Sequence, residues 1–121
     1  MTYDLPGYNM GNMETLAKKQ IRFSGYVKDL LVYADILGFE YRIDYVRRCE
    51  DCLVGHIKSC HKSRLAVDIL FHSDGKLVKD GSPDGPLKEL GEFWESLAPD
   101  CRWGGRWRDG GHFSLEHQGI K

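Results

Sequence analysis

The sequence has no long apolar run. Its longest, Leu30-Leu31-Val32-Tyr33-Ala34, is far below the ~20 residues of a membrane span, so a helix crossing a bilayer is not expected. It has no charge excess either. The 17 lysines and arginines against 18 aspartates and glutamates leave a net charge of −1, which gives no overall field to attract nucleic acid or an acidic membrane. Met1-Thr-Tyr-Asp-Leu-Pro-Gly lacks the basic and apolar stretches of a secretory signal, so the expected compartment is the cytoplasm. Cys49, Cys52, Cys60 and Cys101 then read as free thiols or metal ligands before they read as disulfides. Internal repeats, low-complexity tracts and linkers are also missing. What remains is 121 residues, 41% hydrophobic and 29% charged, the composition of a globule able to bury a core. Residues 1–121 are expected to form one domain, with 1–12 as an extended leader.

From Asn12, a candidate N-cap, apolar residues at Leu16, Ile21, Phe23, Val27, Leu30, Leu31, Ala34 and Leu37 follow a helical stripe that Gly38 ends, with Ser24-Gly25 as a point of kinking or splitting. Phe39, Tyr41, Ile43 and Tyr45 then alternate along a strand from Phe39 to Val46, closed by Arg47 and Arg48. Leu65 to Phe71, with β-branched Val67 and Ile69, predicts a second strand that the turn-rich His72-Ser73-Asp74-Gly75 terminates. Pro86 suits a first helical turn, and Leu87, Leu90, Phe93, Trp94 and Leu97 recur at helical spacing until Pro99. A last strand is expected near His112 to Leu115. Segregated helices and antiparallel strands make the expected fold α+β, a small antiparallel sheet with flanking helices.

Two segments carry chemistry. In Ser59-Cys-His61-Lys-Ser-Arg-Leu-Ala66-Val-Asp68 the carboxylate lies inside a strand, on the face of Ala66 and Leu70. A carboxylate among apolar neighbours needs a partner, and a metal shared with His61 would offset its desolvation. The plainer alternative has Asp68 on an edge strand facing water and His61 on the surface. In Trp103-Gly-Gly-Arg-Trp107-Arg-Asp109-Gly-Gly-His112-Phe113, two glycines between an acid and a histidine permit a tight turn that brings both groups to one point. Here the alternative is a surface loop anchored in the core by Trp103 and Trp107. Together the segments can supply His61, Asp68 and His112 as three ligands with a fourth tetrahedral position open, the arrangement of catalytic zinc. Asp109 is then left as a general base beside the metal.

Other candidates weigh less. Cys49-x-x-Cys52 is half of a structural zinc motif with no second half. His56, His72 and His117 have no acid or cysteine at ligand spacing and read as packing or surface residues. Asp74-Gly75 and Asp80-Gly81 lack the remaining ligands of a calcium loop.

Ser59-x-His61-x6-Asp68 followed by Trp103-Gly-Gly and Asp109-x-x-His112 resembles the M15 family of zinc peptidases, which includes D-alanyl-D-alanine peptidases and phage L-alanyl-D-glutamate endolysins. The resemblance runs from about Leu16 to Phe113 and takes in the Gly38-Phe39 strand entry and Arg48-Cys-Glu-Asp. Asp109, where many members carry Glu, is similar to the endolysin branch. Arg64 stands where the signature usually has glycine, and Cys49-Glu50 where Thr/Ser and Pro are common. The resemblance implies a DD-peptidase-like zinc fold that includes Hedgehog-type domains, with zinc on His61, Asp68 and His112 and Asp109 as the catalytic base. Arg48, with Arg47 as the neighbouring alternative, would hold a substrate carboxylate or an oxyanion. Ser59, Trp103 and Trp107 would contact substrate.

Two functions follow from different classes. The first is a monomeric zinc metallopeptidase that cuts peptidoglycan stem peptides, at L-Ala-D-Glu or D-Ala-D-Ala, after a bacteriophage holin releases it to the wall. The second is a non-catalytic zinc-binding virion or cell-wall-binding member of the same fold, suggested by Arg64. A small cysteine-zinc interaction module using Cys49 and Cys52 is a third possibility.

Overall fold

The structure is a computed structural model that describes residues 14–44 and 63–121. Its first element, helix α1 (Leu16–Leu37), is capped by Thr15, whose hydroxyl accepts from the Lys18 N–H at 3.2 Å, and ends at Gly38 with φ +87°. Asn12, the expected cap, lies outside the described residues. The helix passes through Ser24-Gly25 unbroken, since the ~1 kcal/mol cost of a helical glycine is small beside the burial of Phe23, Leu30 and Ala34. Leu16 and Ile21, assigned to the buried stripe by spacing, face solvent.

Strand β1 (Glu40–Ile43) lies within the expected Phe39–Val46 strand, of which Tyr45 and Val46 lie outside the described residues. Strand β2 (Ala66–Ser73) turns through Asp74 and Gly75, at φ +52° and +74°, into the short β3 (Lys76–Leu77). Two consecutive left-handed residues are what a two-residue type I′ hairpin requires. Helix α2 (Lys88–Leu97) starts after Pro86, with Leu87 at its cap position, and buries Leu90 and Trp94. Strand β4 (Cys101–Trp103), not foreseen because three residues carry almost no periodicity, leads into a 3-10 turn (Gly104–Trp107) and then β5 (His112–Leu115).

The five strands are antiparallel in the order β1-β2-β5-β4, with β3 added to β2. Helices α1 and α2 supply Phe23, Leu30, Leu90 and Trp94 to a core shared with Ile69, Phe71, Phe113 and Leu115 of the sheet. Trp94 is its hub: Phe23 and Phe113 meet its ring edge-on at 5.7 and 5.6 Å, and its indole N–H donates to the Ser114 carbonyl at 3.0 Å. The architecture is α+β, two helices beside a small antiparallel sheet. Among the described residues no helix is long and apolar enough to cross a membrane.

Candidate metal centre

Strand alternation sets the site. Ile69 and Phe71 of β2 and Phe113 and Leu115 of β5 point into the core, so Asp68 and His112 share the other face. The β2–β5 register pairs Asp68 with His112 directly. Their side chains meet, Nδ1 of His112 standing 3.2 Å from Oδ1 of Asp68. This removes the edge-strand alternative for Asp68, because β2 lies between β1 and β5. The Asp68 side chain is 22% exposed and that of His112 only 9%, a degree of burial at which a carboxylate needs a compensating charge or hydrogen bond.

Asp109 is delivered by a turn. The His112 N–H donates to the Asp109 carbonyl at 3.0 Å across Gly110-Gly111, and the Asp109 N–H donates to Gly104 at 2.8 Å. Backbone crowding explains the glycines. A Cβ on Gly110 would stand 2.7 Å from the Cα of Gly81, and one on Gly104 would strike the Asp109 carbonyl and the His112 side chain. The loop carrying Asp109 is thereby pressed against the Gly81 loop on one side and the 3-10 turn on the other.

One ligand atom from each of Asp68, Asp109 and His112 lies within 4.8 Å of the other two, and among the described residues this is the one group of metal-ligating side chains so placed. The donors fit zinc in kind, imidazole nitrogen and carboxylate oxygen. They also fit in spacing. Zinc–ligand bonds of about 2.0–2.1 Å put neighbouring ligands of a tetrahedron about 3.3–3.4 Å apart, and Asp68 and His112 are at 3.2 Å. Asp109 is exposed and near enough to act on the same point.

The remaining predicted residues divide. Ser59, His61 and Arg48, with Arg47, Cys49, Cys52, His56 and Cys60, lie outside the described residues. Trp107 is 43% exposed, and its ring packs against that of His112 with centroids 5.6 Å apart. Trp103 is a correction: it is fully buried and offers substrate no surface. Its indole N–H instead donates to the Gly110 carbonyl at 2.9 Å, and its ring fills space left open by Gly91 and Gly105. Trp103 holds the Asp109–His112 turn from below. Arg106 rests over the Trp103 ring at 5.3 Å and pairs with Glu95 at 2.7 Å, tying the 3-10 turn to α2. The thiol of Cys101 is buried in the core, and desolvation pushes its pKa up to about 12, so it is not a reactive nucleophile. His72 meets Arg42 at 3.1 Å, His117 meets Lys19 at 3.5 Å, and Asp80 receives the Ser82 N–H at 3.0 Å.

Arg64, at the position where the signature usually has glycine, has φ +59°. The turn entering β2 needs a left-handed residue, which glycine supplies without steric cost and arginine with strain. The substitution therefore bears on stability and leaves the ligand types unchanged.

A cleft of about 520 Å³ opens beside the three residues, reaching from Asp68 and Asp109 past Gly81 to Lys79 and Arg108. Lys79 and Arg108 were not singled out from the sequence. Each stands in a polar, turn-rich stretch without periodicity; Arg108 precedes Asp109 directly in the chain, and the approach of the Gly81 and Gly110 loops brings Lys79 to the same cleft.

No curated protein matches the chain. A family model of the M15 peptidases, described as D-alanyl-D-alanine carboxypeptidase, matches residues 54–115, just over half of the sequence. That span contains His61, Asp68, Asp109 and His112. With an α+β fold that brings the last three together, the chain belongs to the M15 family of peptidases.

Proposed function

We propose that this chain is a zinc-dependent peptidase that hydrolyses peptidoglycan stem peptides in the manner of a phage endolysin, at the L-Ala-D-Glu or the D-Ala-D-Ala bond. The observation that carries the reading is the convergence of Asp68, Asp109 and His112 beside an open cleft. Asp68 and His112 would hold the metal with His61, which the signature spacing supplies as third ligand. Zinc, when bound, supplies Lewis acidity at the scissile carbonyl and acidifies water. Asp109, exposed at the cleft, takes the proton of the attacking water and returns it to the departing amine. Arg48 would grip a substrate carboxylate with its planar fork, while Ser59 and the exposed face of Trp107 border the substrate. Monomeric action on the wall, after release from the cytoplasm, belongs to the same proposal.

The test is hydrolysis of synthetic stem peptides by the zinc-loaded protein, with mass spectrometry locating the bond cut. Asp109→Asn should slow cleavage about 10²–10⁴-fold, the usual contribution of general acid-base catalysis, with zinc content and fold retained. Intact peptides after prolonged incubation with zinc-loaded protein, at acidic through alkaline pH, would establish the non-catalytic wall-binding alternative instead.

A further inference from the structure

We propose that Lys79 and Arg108 form an anion subsite of the cleft and select substrates that carry a free carboxylate close to the scissile bond. The proposal rests on the peptidase reading above and adds the residues that set its substrate preference. The cleft carries charges of both signs. Asp44, Asp68 and Asp109 line it, and among the described residues Lys79 and Arg108 are its cations. Neither cation forms an ion pair or side-chain hydrogen bond among the described residues. Asp80, the acid next in sequence to Lys79, is engaged first by Ser82 and also feels the charge of Arg108. Both cations are exposed and available to a ligand.

Arg108 is also held in an unusual backbone state. It has φ +65° and closes the 3-10 turn, its N–H donating to the Gly105 carbonyl at 3.1 Å. A left-handed arginine costs on the order of 1 kcal/mol over glycine there, in a loop otherwise rich in glycine. Such strain is concentrated at binding and catalytic positions. The same turn fixes Arg108 immediately before Asp109, so an anion on Arg108 lies one residue from the proposed base. With Asp68 given to the metal, a peptide carboxylate entering this cleft would still meet repulsion from Asp44 and Asp109. Lys79 as a point charge and Arg108 as a planar fork supply the attraction that overcomes it, and Arg108 can bind the carboxylate bidentately.

The experiment compares two stem peptides, one with its free carboxylate and one with that group amidated, by kcat/KM and by calorimetric binding to the zinc-loaded protein. Wild type should favour the acid about tenfold in both measurements, the lower end for a charge-assisted contact at an exposed site. Lys79→Gln/Arg108→Asn should bring both ratios near one, with zinc content unchanged. Asparagine tolerates the left-handed backbone, and Arg108→Lys should keep part of the preference. A double variant that still prefers the acid as strongly as wild type overturns the subsite, as does a wild type that binds both peptides equally. If wild type binds the acid preferentially and the double variant does not, yet neither cleaves, the subsite stands and the peptidase reading fails.

Discussion

Asp68 and His112 are direct partners across the β2–β5 ladder, and their side chains meet at 3.2 Å on the face opposite Ile69 and Phe71. Two residues 44 positions apart are thus juxtaposed by strand register alone, and a one-residue slip would send one of them into the core. That slip is opposed by Phe113 and Leu115, both fully buried on the other face of β5.

If this pair is the metal-binding core, purified protein should hold close to one equivalent of zinc. His112→Ala should lose most of it, and Asp68→Asn should weaken binding in the same direction, as read by elemental analysis and chelator competition. Loss of zinc in Cys49→Ser/Cys52→Ser with retention in His112→Ala would move the metal to the cysteines.

The legible part of this site was the part written in short-range spacing. Asp109-Gly-Gly-His112 is a turn whose chemistry the glycines announce, and the alternation of Val67, Asp68 and Ile69 fixes the face of Asp68 without knowledge of its partner. Pairing β2 with β5 is a long-range choice that no local pattern encodes, and the sequence reading joined the two segments through their ligand chemistry without that register. Trp103 was misplaced for the same reason. An aromatic in a glycine-rich loop looks the same whether it faces a groove or fills the space above Gly91, and only the packing of α2 against β4 decides. Strand β4 and the place of Lys79 at the cleft depend on tertiary proximity.

Arg64 makes a prediction of opposite sign to most substitutions. Relief of its left-handed strain, on the order of 1–2 kcal/mol, exceeds the extra unfolded-state entropy of glycine, about 0.4–1 kcal/mol. Arg64→Gly should raise the melting temperature by about 1–4 °C without changing zinc content. A lower melting temperature would mean that contacts of the arginine side chain outweigh the strain of its backbone.

Away from the site, Arg22 on α1 binds both oxygens of Asp100, at 2.9 and 2.6 Å, and both oxygens of Glu14. Burial works against the Asp100 charge, and the Arg22 guanidinium more than offsets it, so this carboxyl sits below the usual carboxylate range. A depressed folded-state pKa stabilises the fold above the ordinary carboxylate value, and the benefit is lost as pH falls through the folded value. Asp100→Asn should cost about 1.5–3 kcal/mol near neutral pH. Urea melts at successively lower pH should show the gap to wild type closing, and a gap constant with pH would mean that the pair contributes through packing and not through charge.

Trp103 and Trp107 should separate cleanly, because one supports the site and the other borders it. Trp103→Phe removes the N–H that holds the Gly110 carbonyl, together with the outer part of the six-membered ring that packs over Gly91 and Gly105. A buried carbonyl deprived of its donor costs about 1–3 kcal/mol, and here the cost falls on the turn that spaces Asp109 from His112. The variant should therefore melt earlier and bind zinc more weakly, with KM for stem peptides little changed. Trp107→Ala removes an exposed ring that packs on His112, so it should raise KM and leave the melting temperature nearly where it was. Paired measurements of zinc affinity, KM and thermal stability on the two variants decide the matter. If Trp103→Phe raises KM while zinc affinity and stability hold, the indole acts on substrate and its assignment as a support for the turn is wrong.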